Sequence, residues 1–286
     1  VRLFAFGYGY AAAALARRLK PQGWSIAATC RRPEDAARLA ALGVDPAPLD
    51  EPARLAGELA RARALLVSAP PTSQGCPGLA ALAPAIARAG AFPDWTAYLS
   101  TTGVYGDRRG GWVFETSRLA AQSVEGARRV AAERDWLQMG GGMGLTVAVF
   151  RLPGIYGPGR STFDRLREGR AQRIASPGQV FSRIHVDDLA AGLEASLRRP
   201  RAGGVYNLCD DEPCANSEVV AYAAGLLGLA VPPEIPIEAA RLSPAAQRFY
   251  AESKRVSNAR AKAELGWRPA YPTYREGLAA VLAAGG

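Results

Sequence analysis

Histidine is nearly absent: His185 is the only one in 286 residues. A metal site built on imidazoles needs several, so no metal is expected. Cysteine is scarce as well. Cys30, Cys76, Cys209 and Cys214 are too few to staple a chain of this length, and no second ligand pair accompanies Cys209 and Cys214. They read as reduced, mostly buried thiols of a cytoplasmic protein. No apolar run of about 18 or more residues is free of charge, which predicts no membrane span. Leu3-Phe4-Ala5-Phe6 already reads as a buried strand and leaves no room for a cleavable leader. The first residue is valine, so the natural start is expected slightly upstream.

Acidic residues are in deficit, 26 against 35 basic ones, for a net charge of +9. The excess is mostly arginine and is scattered, as in Arg17-Arg18, Arg108-Arg109 and Arg198-Arg199. Nucleic-acid binders gather such residues into one stripe with interleaved aromatics. Dispersal predicts a solvated surface and no nucleic-acid partner, while a local excess suits an anionic cofactor.

Hydrophobic residues make up 49% and charged ones 21%, which excludes a disordered chain. Apolar runs at Arg2–Phe6, Trp24–Thr29, Ala64–Ser68, Thr96–Ser100 and Leu145–Phe150, with a weaker one at Val44–Leu49, alternate with Ala- and Leu-rich helical segments. Those segments are Ala11–Leu19, Pro33–Leu42, Pro52–Ala62, Leu79–Arg88 and Ser117–Met139. Strand–helix alternation predicts an α/β fold, a Rossmann-like doubly wound parallel sheet. After about residue 150 turns multiply, predicting a smaller C-terminal substrate lobe over 151–286 with segments returning to the sheet, and a Rossmann domain over 1–150. A helix is expected at Asn216–Leu227, capped by Asn216 or Ser217.

Gly7-Tyr8-Gly9-Tyr10-Ala11-Ala12 follows the first strand and opens the first helix. In that context Gly7 permits the tight turn, Gly9 admits a pyrophosphate, and Ala12 lets the helix pack on the strand. The second strand ends in Arg31-Arg32, where NAD-specific folds carry an acid. A guanidinium matches a 2′-phosphate in charge and fork geometry, so NADP is expected over NAD. Asp50, after the third strand, suits an adenine edge; Ser68-Ala69-Pro70 ends the fourth on the cofactor side.

With Leu99-Ser100-Thr101-Thr102-Gly103-Val104-Tyr105-Gly106, Arg151 to Gly159, Arg183-Ile184-His185-Val186-Asp187-Asp188, Val205 to Leu208 and Glu264-Leu265-Gly266-Trp267, the chain resembles the extended short-chain dehydrogenase/reductases, the NAD-dependent epimerase/dehydratase family. The resemblance implies a hydride-transfer site in which a Ser/Thr polarises the substrate oxygen, a Tyr moves the proton, and a Lys four residues later lowers the Tyr pKa. It assigns the Ser/Thr place to Thr101, with Ser100 and Thr102 beside it. Tyr8, Tyr10, Pro153 and Ile155 fall on its cofactor path.

The expected Y-x-x-x-K pair is missing. Anchored on Ala132-Glu133, its places hold Glu125 and Arg129, and no tyrosine lies within Ser117–Met139. Arg129 retains a cation for the ribose, but a glutamate of ordinary pKa, about 4.3, is a base at neutral pH. Glu125 and Arg129 also suit a plain i,i+4 pair. Tyr156, Tyr105 and His185 stand as other proton carriers. Arg160, Arg183 and His185 suit an anionic or sugar-like substrate, or the stability of the lobe. Two readings stay open: an NADP-dependent oxidoreductase or epimerase-like enzyme on a small polar, nucleotide-sugar-like substrate, and a non-catalytic NADP-binding protein that reports redox state. The helix at 117–139 is where many relatives pair, so homodimer and monomer are both open.

Overall fold

Short, nearly unbroken apolar runs become strands buried on both faces: β1 (Arg2–Phe6), β2 (Ser25–Cys30), β3 (Asp45–Pro48), β4 (Ala64–Val67), β5 (Trp95–Thr101), β6 (Val147–Leu152) and β7 (Gly204–Asn207). In the computed structural model, which describes residues 1–89 and 92–285, they form one mostly parallel sheet ordered β3-β2-β1-β4-β5-β6-β7. The flanking helices are α1 (Tyr10–Leu19), α2 (Pro33–Ala41), α3 (Pro52–Arg61), α4 (Pro77–Ala89) and α5 (Val124–Met143). The parallel order reverses beside β1, the switch point at which ligands of open α/β sheets bind. Pro46 and Pro48 explain the weak signal of β3: proline cannot donate to a ladder and is tolerated at the sheet edge, where β3 lies.

The chain divides into two compact units, Val1–Thr101 with Val124–Arg151 and Ala190–Tyr206, and Thr102–Ser123 with Leu152–Leu189 and Asn207–Gly286. The first unit contains a core of Phe4, Leu65, Tyr98 and Val149 among others, into which Trp136 of α5 is buried. Gly140 lets α5 approach β6: a methyl group there would sit 2.8 Å from the Val147 side chain. This close approach keeps the helix running through three glycines to Met143, past the expected end at Met139.

At its other end α5 starts later than the expected Ser117. Residues 117–123 are held elsewhere: the Ala120 N–H donates to the Val104 carbonyl at 3.0 Å, and the Ala120 carbonyl occupies the space beside Gly106 that a side chain would fill. With φ +69, Gly106 adopts a left-handed turn that favours glycine.

The second unit is built from short parallel pairs, Gly154–Tyr156 with Arg183–His185, Arg173–Ala175 with Glu234–Pro236, and Trp112–Val113 with Arg255–Val256. Helices Asn216–Leu226 and Tyr274–Ala283 bury Val219, Val220, Leu278 and Val281 together. Ala215 is the first helix's N-cap, with no side-chain bond; Asn216, the expected cap, instead donates to the Tyr250 hydroxyl at 3.0 Å. Asp188 explains how two distant motifs support each other. Its buried carboxylate accepts the Ala270 and Tyr271 N–H groups at 2.6 and 3.0 Å, and its carbonyl accepts the Trp267 indole at 3.1 Å.

Candidate cofactor and substrate sites

The turn after β1 is fixed from both neighbouring strands. The Gly7 N–H donates to Thr29 Oγ1 at 2.8 Å, and Ser68 Oγ donates to the Gly7 carbonyl at 2.9 Å. Gly7 has φ +90, and a side chain there would press on Ser68 and the Ala69 amide at 3.0 and 3.2 Å. Gly9 differs. Its φ is −94, and a methyl group there would meet nothing within 4 Å. It is the N-cap of α1, which has no side-chain cap and no acid in its first turn. Ala12, fully buried, lets α1 seat closely. An uncapped positive helix end behind an open glycine fits a diphosphate.

Beside this turn lies a cavity of about 390 Å³ lined by Gly7, Tyr8, Cys30, Arg31, Ala69 and Pro70 among others. Asp35, Arg38 and Leu49 also line it. The two arginines at the end of β2 have separate fates. Arg32 folds onto Asp35 at 3.0 Å and Glu34 at 3.2 Å, off the cavity. Arg31 lines it and makes no ion pair among the described residues, while Arg38, one face of α2 further on, lines it and reaches Asp35 at 3.5 Å. The hydrogen bond from Arg32 and the charges of Arg32, Arg38 and Arg31 hold the Asp35 carboxyl below its usual range, so it stays ionised and is already matched by cations. Burial raises the Tyr8 pKa. Asp50 sits in the turn after β3, outside the cavity, where Leu49 takes the lining position; Tyr10 opens α1.

At the end of β5, Ser100 donates to Glu133 at 2.5 Å, and Glu133 receives Arg151 Nη2 at 2.8 Å. All three are buried. Arg129 lies half-buried over the Tyr98 ring; its Nη1 donates to the Leu99 carbonyl and to the Tyr98 hydroxyl, the latter at 3.3 Å. Glu125 is exposed in the first turn of α5, and Thr101 is the last residue of β5.

In the second unit Tyr156, Arg160 and Arg183 line one cavity of about 380 Å³. His185 lies behind it, its ring edge-on to Tyr156 at 5.4 Å. His185 Nδ1 accepts the Asp187 N–H at 3.2 Å while Nε2 is buried with no partner, and burial lowers its pKa, so the ring is neutral. Burial pushes the Tyr156 hydroxyl up, so it holds its proton. Thr102, buried, begins the turn Thr102–Tyr105. Pro153 and Ile155 flank Gly154 at the start of the short strand that ends in Tyr156; Ile155 also lines this cavity.

No family model matches the chain. A conserved protein of unknown function from Silicibacter pomeroyi DSS has a solved structure 47% identical over 99% of both chains, with a TM-score of 0.88. A dTDP-glucose 4,6-dehydratase from Bacillus anthracis, solved in complex with NAD, shares the fold at a TM-score of 0.79, with 17% identity over 99% of this chain and 96% of that one. A 3-diazoavenalumate denitrifying reductase from a Streptomyces species is 30% identical over 145 residues, 47% of this chain and 46% of that protein. The chain shares the fold of epimerases and dehydratases over nearly its whole length. The match spans about half the length of the first curated relatives.

Against the resemblance read from the sequence, the chain departs at α5, where Glu125 and Arg129 stand in place of the expected pair. Sequence reasoning missed Arg38, although its spacing from Asp35 along α2 was a signal. It also missed that Glu133 joins Ser100 to Arg151, for which a charged residue in a buried strand (Arg151 in β6) was the available clue. Asp210, 2% exposed with both carboxylate oxygens unpartnered, had no signal in sequence.

Proposed function

We propose that this chain is an NADP-dependent oxidoreductase or epimerase-like enzyme of the cytoplasm that acts on a small polar substrate. The observation that carries the cofactor half is the cavity beside Gly7, with Arg31 unpaired on its wall, Arg38 next to it, and its acid, Asp35, already matched. A free carboxylate there would favour a ribose diol; two guanidiniums favour a 2′-phosphate. Gly9 and the bare start of α1 take the diphosphate, and Ala69 and Pro70 bound the path beyond it. When bound, the nicotinamide supplies or accepts a hydride. Thr101 orients the reacting oxygen, and Arg129, anchored on the Leu99 carbonyl, faces the ribose. The Streptomyces reductase supports the oxidoreductase class.

A second reading, a non-catalytic NADP-binding protein, draws on one observation: Arg129 is committed to Tyr98 and Leu99, and α5 carries no tyrosine. Stoichiometric hydride transfer to any metabolite excludes it.

Gly9→Val tests the cofactor site. The side chain enters open space at an ordinary φ, so unfolding is expected to shift by about 1 kcal/mol or less. NADPH affinity, read by tryptophan fluorescence, is expected to fall at least about a hundredfold. Unchanged affinity would place the diphosphate elsewhere.

A further inference from the structure

Arg183 is 8% exposed and makes no ion pair among the described residues; the buried Asp210 carboxyl, which feels its charge, holds its proton at neutral pH. Nη1 donates to the Cys214 thiol at 2.9 Å, Nη2 reaches the Cys214 carbonyl at 3.5 Å, and the group lies over the Tyr274 ring at 5.6 Å. None of these partners offsets its charge, since burial keeps the Cys214 thiol protonated. Buried charges in folded proteins are paired, because desolvating a lone one is heavily unfavourable. Arg183 lines the second unit's cavity, and so does Tyr156, whose hydroxyl is buried with no partner. A buried cation on a cavity wall, with no ion pair among the described residues, calls for an oxyanion.

The rest of the lining says what the anion is attached to. Cations outnumber acids: Arg160, Arg165 and Arg183 against Asp164, whose Oδ2 already accepts the Ser161 N–H at 3.3 Å. Val219, Leu278, Tyr274 and Phe249 supply apolar surface. Phe249 is held in place by stacking on Phe181 at 4.0 Å, although it is 41% exposed. A volume of about 380 Å³ is near the lower bound, roughly 300 Å³, for ligand pockets. That suits one flat ring system and is small for a nucleotide diphosphate joined to a sugar.

We propose that this cavity binds a small planar carboxylic acid, its carboxylate on Arg183 and its flat body against Phe249, Val219 and Leu278. As a substrate class it rests on the oxidoreductase reading; as a binding site it needs no dinucleotide. Gly277 is part of the site's construction, since a methyl group there would lie 1.9 Å from the Tyr156 hydroxyl.

The test is calorimetry on the whole chain, without dinucleotide, using 2-naphthoate, its neutral amide, inorganic phosphate and dTDP. One naphthoate is expected per chain, with the amide at least about tenfold weaker. Arg183→Met is expected to cost about tenfold or more, and Phe249→Ala several-fold. Phe249 is exposed enough to truncate without unfolding the chain, so it carries the test if Arg183→Met fails to fold. Equal binding of acid and amide, no naphthoate binding at about 5 mM, or tighter binding of phosphate or dTDP at this cavity each overturns the proposal. A separate NADPH titration keeps the two readings apart. Naphthoate binding without NADPH binding contradicts only the oxidoreductase, and the reverse contradicts only the acid site.

Discussion

Glu133→Ala is expected to destabilise the chain by about 3–5 kcal/mol, because it removes the buried carboxylate that is paired with the buried Arg151. Arg151 sits on β6, between β5 and the edge strand β7, and every neighbouring residue of its strand is buried. Its guanidinium grips Glu133 through Nε and Nη2, at 3.2 and 2.8 Å. The same carboxylate accepts the Ser100 hydroxyl, so the substitution also strands a buried donor. Whole domains are stable by only about 5–15 kcal/mol, and a loss of this size is visible in any denaturant titration. Removing both charges at once, with Glu133→Leu and Arg151→Met, is expected to recover most of the loss, since a buried pair gains little over apolar packing. If the double variant is no better than Glu133→Ala, the penalty comes from lost packing and the charge argument fails. Because Ser100 immediately precedes Thr101, loss of this network is also expected to loosen the end of β5.

The second large effect depends on pH. Asp210 is buried, and desolvation raises its pKa from 3.8 to about 8 against the opposing pull of Arg183. The carboxyl thus keeps its proton when folded and loses it when unfolded over this interval. The stability tied to the bound proton is fully present below about pH 4 and is lost as the pH rises through about 8. A tenfold change in proton affinity is worth about 1.4 kcal/mol, so the loss is on the order of 5 kcal/mol. Thermal melts from pH 5 to pH 9 are expected to show Tm falling in the wild type and nearly level in Asp210→Asn, with the variant the more stable at pH 9. Parallel curves would show that Asp210 ionises as freely in the folded chain as in the unfolded one.

The strands and the nucleotide turn were legible because their causes are local. An apolar run between turn residues makes a buried strand whatever lies across from it, and Gly7 is required by the φ of its own turn. Helix α5 was legible in kind but displaced at both ends. Its start depends on Ala120 being held by Val104, and its end on Gly140 meeting Val147, contacts between residues distant in sequence. The paired arginines were legible as a cationic site, but not which of them would stay free. Asp35 decides that by drawing Arg32 away and leaving Arg31, and side-chain choices of this kind are settled by helix geometry. Tyr156, Arg160 and Arg183 were read separately along the chain. Their meeting in one cavity follows from the parallel pairing of Gly154–Tyr156 with Arg183–His185.

The central claim is that the first unit's cavity is shaped for a phosphorylated dinucleotide through Arg31. The most direct test titrates wild type and Arg31→Glu with NADPH and with NADH under one salt condition. Arg31 is exposed at the cavity wall, so the variant is expected to fold normally. NADPH binding is expected to weaken about a hundredfold and NADH binding by less than about threefold, reversing the preference. An unchanged ratio of the two affinities would contradict the account.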